Sequence, residues 1–281
     1  MKTTMSRFRS IILSTLSILP LVSCAGKFTP FTFVHCTDTQ IGFGDTTEGF
    51  VHSDSLLNAA VNAINELRPE FAVVTGDLVD NVDDPLQNEL FQKGMARLDV
   101  PYFMLPGNHD YRNKWTAEIR DEYVALRGYD RFSFSNNGCA FIGIDSNCIK
   151  AKAAEAEAEQ FRWLEDRLRE ARKAKYTFLF LHCPIFKQDI DETEDYENFP
   201  MEYRRKYIDL FKEYGVDAVL AGHTHKDYDT EYEGIRLVAA NPICNGLGHG
   251  RPGFNVIKVN KDGYEIEFHP TPGIDPEKCR L

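Results

Sequence analysis

The chain has no Cys-x-x-Cys pair, no internal repeat, no basic stripe and no linker rich in proline, glycine or serine. Each absence removes a class of function. With 43 acidic against 32 basic residues and a formal net charge of −11, binding to nucleic acid through phosphate neutralisation is not expected. Positive potential for an anionic substrate must then come from a local source, and a bound metal ion supplies it. The cysteines are scattered rather than gathered in a dense disulfide framework. Cys24 aside, the other six (Cys36, Cys139, Cys148, Cys183, Cys244 and Cys279) read as small buried apolar residues, with room for one disulfide that the sequence does not place.

Long hydrophobic runs are equally scarce. Residues 11–22 are apolar and follow Lys2, Arg7 and Arg9. That run is too short to span a bilayer comfortably and has the length of a signal-peptide core. It ends in Leu-Val-Ser-Cys, residues 21–24, which resembles a bacterial lipobox, with Cys24 as the acylated residue. The expected layout is a lipoprotein signal over residues 1–23, a tether over 24–30 and one domain over 31–281. The chain is thus expected to be an exported cell-envelope lipoprotein, its acyl chains anchoring it to a membrane. The alternative is an ordinary cleaved signal with an incidental cysteine.

Beyond the tether, apolar runs alternate with helical periodicity. Strands are expected at 31–36, 71–75, 102–105, 139–144, 177–181 and 218–221, and helices at 54–66, 86–98, 115–126, 153–174 and 201–214. From residue 226 the pattern turns to short strands and turn residues. The result is an α/β chain with a largely parallel first part and a hairpin-rich end. The charged stretch at 153–174 suits a single solvated helix with Phe161, Leu164 and Leu168 as its apolar stripe.

Five loops follow apolar runs and carry nearly all the candidate ligands. They are Asp-Thr-Gln at 38–40, Gly-Asp-Leu-Val-Asp-Asn at 76–81, Gly-Asn-His-Asp at 107–110, His-Cys-Pro at 182–184 and Gly-His-Thr-His at 222–225. Open α/β sheets bind ligands outside the carboxyl ends of their strands, so these loops should converge on one edge. Their chemistry is that of a dinuclear hydrolytic site, in which paired dications clamp a phosphoryl group and activate a bridging water. Gly76, Gly107 and Gly222 are the small residues that let such turns approach one another.

In order and spacing these loops resemble the calcineurin-like metallophosphoesterase family, from Asp38 to His225. The resemblance implies two packed mixed β-sheets flanked by helices, the αββα sandwich of that family. It implies two divalent ions (Mn, Fe, Mg or Zn), one held by Asp38, Gln40, Asp77 and His225 and the other by Asp77, Asn108, His182 and His223. It also implies that His109, oriented by Asp80, protonates the leaving alkoxide. Imidazole chemistry agrees, since a poor leaving group needs an acid that titrates near neutral pH. The substrate would be a phosphate ester, either a monoester or a diester such as a nucleotide or phospholipid headgroup. A catalytically weak metal-binding module is the rival.

Gln40 stands where that family more usually has histidine. Its amide oxygen is a hard, neutral ligand, and the chain resembles the Asp-x-Gln subgroup, the calcineurin-like phosphoesterase domain-containing serine/threonine phosphatases. Residues 191–225 and 248–259 carry further likeness to that subgroup. Asn81 occupies the place where calcineurin-type protein phosphatases carry a phosphate-binding arginine, and Arg251 is the candidate replacement, with a solvated surface arginine as its alternative. The acidic loop 188–202, starting beside His182, is open to three readings: a solvated run, a lid, or a receptor for a cationic group. Among the other histidines, His35 reads as core, His249 is placed near the mouth of the site, and His52 and His269 have no ligand partner at a telling spacing.

Overall fold

The computed structural model describes residues 28–248, 250–275 and 279. The expected signal segment, Cys24 and His249 lie outside them. Eleven strands form two sheets among the described residues: β1 Phe31–Cys36, β2 Ala72–Val74, β3 Tyr102–Met104, β4 Phe132–Asn136, β5 Cys139–Gly143, β6 Thr177–Phe180, β7 Ala218–Ala221, β8 Tyr228–Tyr232, β9 Ile235–Ala239, β10 Gly253–Val259 and β11 Tyr264–Pro270. Six α-helices accompany them: α1 Val51–Leu67, α2 Pro85–Met95, α3 Ala117–Arg127, α4 Ser146–Lys150, α5 Ala154–Ala171 and α6 Met201–Tyr214.

The first sheet has the order β11-β10-β1-β2-β3 and the second β4-β5-β6-β7-β9-β8. β1, β2 and β3 run parallel, and the β10–β11 hairpin joins antiparallel to β1. In the second sheet β5, β6, β7 and β9 are parallel, with β4 and β8 antiparallel at the edges. Both sheets are therefore mixed, as expected.

Side-chain alternation on the strands builds the layers. On β1, Phe31 and Phe33 face the second sheet while Val34 and Cys36 face α1. Phe71, Phe141, Phe178, Phe180 and Ile257 complete a dry layer between the sheets. Phe33 lies 5.2 Å from both Phe71 and Phe178, ring centre to ring centre, and Phe71 lies 4.9 Å from Phe141. The outer face of the second sheet packs Leu179, Val219 and Leu237 against Leu164, Leu168 and Phe211 of α5 and α6. Helix boundaries have local causes. Asp84 caps α2 through the amides of Leu86 and Gln87, with Pro85 as its first residue, and Gly215, at φ 71°, ends α6.

Two elements depart from the sequence reading. β4 is an edge strand whose serines face outward, which weakens its apolar signal, and α4 has only five residues. The six cysteines are all buried and free among the described residues, so the unplaced disulfide does not form there. Phe28, near the end of the expected tether, packs against the core layer between the sheets, with the Lys175 ammonium 5.2 Å from its ring centre.

Candidate metal centre

The five loops leave β1, β2, β3, β6 and β7 at their carboxyl ends and meet at one edge. Backbone strain is concentrated there. Asp38, Gln40, Asp77, His223 and His225 have φ of 50°, 30°, 48°, 72° and 54°. Left-handed conformations of non-glycine residues cost of order 1–3 kcal/mol each and persist only where neighbours over-determine them. Here the loops brace one another: Asp38 donates its amide to the Gly76 carbonyl at 3.0 Å and Gln40 to that of Asp77 at 2.8 Å, while Gly222 bonds the His182 carbonyl at 2.9 Å. Two glycines are dictated by closeness. A Cβ on Gly107 would strike the Asp77 carboxylate, and one on Gly222 the Thr37 hydroxyl.

Each candidate side chain is held by its far end, leaving the near end for the site. His182 places Nδ1 2.7 Å from the Thr75 carbonyl, which can only accept, so Nε2 faces Asn108 Oδ1 at 3.0 Å and Asp77 Oδ2 at 3.3 Å. His225 does the same through the Asn245 carbonyl at 2.9 Å, and its Nε2 stands 3.4 Å from Asp38 Oδ1. This is the arrangement by which carbonyls fix the tautomer of a ligating imidazole. Asp77 accepts the His109 amide on Oδ1 at 2.8 Å. Asp38 uses Oδ2 for the Thr37 hydroxyl at 2.5 Å and the His223 amide at 3.0 Å. Its buried Oδ1 accepts no hydrogen bond among the described residues.

The electrostatics are those of a site built for cations. Burial favours neutral Asp38 and Asp77, yet His225 beside the first and His182 beside both outweigh it, and both carboxyls stay below the usual range. Burial opposes protonation of His182, but the two aspartates hold it up to about 9. His223 is pushed down to about 4 by burial and the neighbouring His182 charge. A metal ion binding here would displace the extra proton of His182, whereas His223 is already neutral at pH 7.

His109 stands at the rim, with Nδ1 3.1 Å from Asp80 Oδ1 and 3.0 Å from the Asp80 carbonyl. Burial lowers its pKa, while the bond to Asp80 and the charge of Asp77 lift it to about 9, so its protonated form prevails at neutral pH. The Gln40 amide nitrogen lies 3.4 Å from that same Asp80 oxygen, and its Oε1 lies 3.7 Å from the Cys244 thiol. Asn81 serves its turn, its carboxamide oxygen accepting the Asp83 amide. Arg251 lies with its guanidinium 4.7 Å from the centre of the Phe268 ring on β11.

Several participants carry no sequence signal of their own. Asp110 accepts the amides of Leu78 and Gly107, tying two of the loops together, and was legible only as part of Gly-Asn-His-Asp. Asn245, which supports His225 through its carbonyl, is in turn held by His52 at 3.0 Å and by the Phe43 carbonyl. Phe43 packs its ring 4.7 Å from that of His225. His35 is core, bonded to the Thr75 hydroxyl and lowered to about 3 by burial, and His269 stacks on Phe254.

The donors fit a divalent ion. One ligand atom from each of Asp77, His182 and His223 lies within 4.8 Å of the other two, and all three residues are buried. Asp38 adds an unsatisfied carboxylate oxygen beside them.

Comparison with known proteins leads to the same chemistry. The model of the calcineurin-like phosphoesterase family matches residues 31–227. Serine/threonine-protein phosphatase CPPED1 of Rattus norvegicus is 30% identical over 278 residues, covering 90% of this chain and 89% of that protein. A protein of Arcobacter nitrofigilis named probable glycerophosphodiester phosphodiesterase GpdQ is 32% identical over 223 residues, covering 74% of this chain and 77% of its own. Among solved structures, a dimetal phosphatase from Danio rerio shares the fold with a TM-score of 0.67 at 15% identity, over 86% of this chain and 97% of that one. On the strength of the family match and of relatives matched over most of their length, the chain belongs to the calcineurin-like phosphoesterase family and is a metal-dependent phosphoric ester hydrolase.

Proposed function

We propose that the protein hydrolyses phosphate esters at a dinuclear centre. Asp38, Gln40, Asp77 and His225 would hold one divalent ion and Asp77, Asn108, His182 and His223 the other, with Asp77 shared. The observation that carries this reading is the buried Asp77 carboxylate, grouped with His182 and His223 on one side while the unsatisfied Asp38 oxygen and His225 stand as a second donor pair. Bound ions would polarise the phosphoryl group and supply an activated water as nucleophile.

The chain's own residues do the rest. Nδ1 of His109 is engaged by Asp80, which leaves Nε2 to deliver a proton to the leaving oxygen. Asp80 holds the imidazolium in place. The mammalian relative is named as a protein phosphatase and the Arcobacter relative as a phosphodiesterase, and Asn81 in place of an arginine leaves no guanidinium on that turn to clamp a dianion. Arg251 remains the candidate for such a clamp. The protein is also proposed to sit at the cell envelope through Cys24, on the strength of the lipobox-like residues 21–24.

The deciding experiment pairs metal counting with hydrolysis of an aryl monophosphate and a bis-aryl diester. Two ions per chain with turnover of at least one ester is expected, and Asp77→Asn and His182→Ala should lose ions and turnover together. Full activity in chelator, or one ion or none without activity, overturns the reading. The ratio of the two ester rates assigns the substrate class.

A further inference from the structure

The loop 188–202 has seven carboxylates, and five of them pair with basic side chains of the protein itself, Asp191 with Arg205, Glu194 and Glu202 with Lys152, and Asp195 and Glu197 with Lys187. Lys187 Nζ reaches Asp195 Oδ2 at 2.6 Å and Glu197 Oε2 at 3.0 Å. Lys150 Nζ donates to the carbonyls of Asp195 at 2.9 Å and Asn198 at 2.5 Å. The buried guanidinium of Arg204 gathers the carbonyls of Ile190, Glu192 and Phe199. A run so neutralised is poorly suited to receive a cationic substrate. What these bonds do is fix the residue that Lys187 brackets on both sides, Tyr196.

Tyr196 is 61% exposed, yet its ring lies 4.6 Å from the ring of His223. Its backbone carbonyl lies 2.9 Å from His223 Nε2, and its hydroxyl 2.8 Å from Asn108 Nδ2. A carbonyl only accepts, so Nε2 of His223 carries the proton and Nδ1 keeps the lone pair. The Asn108 amino group donates to the Tyr196 hydroxyl and to Asn113 Oδ1, turning Oδ1 toward His182. One loop residue thus sets both the imidazole nitrogen and the amide face offered to the same side of the centre.

We propose that Tyr196 is a positioning residue for the ion held by Asn108, His182 and His223, and that the acidic loop is a strap, tied down by Lys187, that presents it. This rests on the dinuclear reading above. It gives the loop a role in holding metal instead of binding a cationic substrate.

The test is a calorimetric titration of the chelator-stripped full chain with Mn²⁺ alone. Tyr196→Phe keeps the carbonyl and the ring and removes only the hydroxyl. It should weaken one of two binding steps about tenfold, the low end of the usual effect of a partner behind a metal ligand. The other step and the melting temperature should not move, and turnover should return at saturating Mn²⁺. Lys187→Met, which frees the strap without touching Tyr196, should weaken the same step. Two steps identical to wild type in Tyr196→Phe overturn the proposal while the dinuclear reading stands. Absence of two steps in the wild type overturns that reading and the proposal with it.

Discussion

Asp80 meets His109 twice, through a carboxylate oxygen at 3.1 Å and its own backbone carbonyl at 3.0 Å, both on Nδ1. The double contact fixes the ring plane and leaves Nε2 as the working nitrogen.

Substituting His109 therefore separates proton delivery from metal binding. His109→Ala should keep its ions and its fold, yet hydrolyse alkyl phosphates roughly 10²–10⁴-fold more slowly. Activated aryl esters, whose leaving groups need little protonation, should lose much less. Rates on a series of esters of graded leaving-group pKa check this, and equal losses across the series would remove His109 as the acid.

Gln40 lends itself to a metal-preference experiment. An imidazole in its place adds a borderline nitrogen donor, so Gln40→His should raise zinc affinity and shift preference away from manganese and magnesium. Gln40→Ala should weaken one ion much more than the other. Its contact with Asp80 at 3.4 Å adds a second expectation, a looser His109 and a larger rate loss on poor leaving groups. Two unchanged binding steps in Gln40→Ala would take Gln40 out of the ligand set.

The pH dependence of stability has a marked contributor outside the centre. Asp145 is 2% exposed, accepts the amide and side chain of Asn147 and the indole of Trp115, and is pushed by burial from its ordinary 3.8 up to about 7. The folded state holds this proton more tightly than the unfolded one. Its stabilisation is complete below about pH 4 and is lost as pH rises to about 7. Asp145→Asn cannot ionise. The stability of wild type relative to Asp145→Asn should fall by of order 2–4 kcal/mol between pH 4.5 and pH 8, read from urea midpoints. A constant difference would show that Asp145 does not ionise in that window.

Much of this was legible because the chemistry-bearing residues sit directly after apolar strands, so short motifs locate both the strand end and the loop. The αββα layering was implied by the family resemblance alone, since β5 and β6 are buried throughout and carry no apolar–polar alternation. What stayed hidden is carried by backbone. His182, His223 and His225 are each fixed by a carbonyl, from Thr75, Tyr196 and Asn245, and a carbonyl has no residue type to announce it. The acidic loop misleads for a related reason. Its charges suggest a ligand until Lys152, Lys187 and Arg205 are seen to pair with its carboxylates while Lys150 and Arg204 hold its carbonyls. β4 was lost because an edge strand needs only one apolar face.

The two sheets divide the donors by element. Asp38, Gln40, Asp77 and Asn108, which offer oxygen, all hang from the sheet containing β1, β2 and β3, while His182, His223 and His225, which offer nitrogen, hang from the sheet containing β6 and β7. The gap between the two sets is thus the gap between the sheets, and the phenylalanine layer fills that gap. Phe33, Phe71, Phe141 and Phe178 belong to that close-packed layer, so a change in their ring volume would be felt in the spacing of the two sheets and of the side chains each sheet carries.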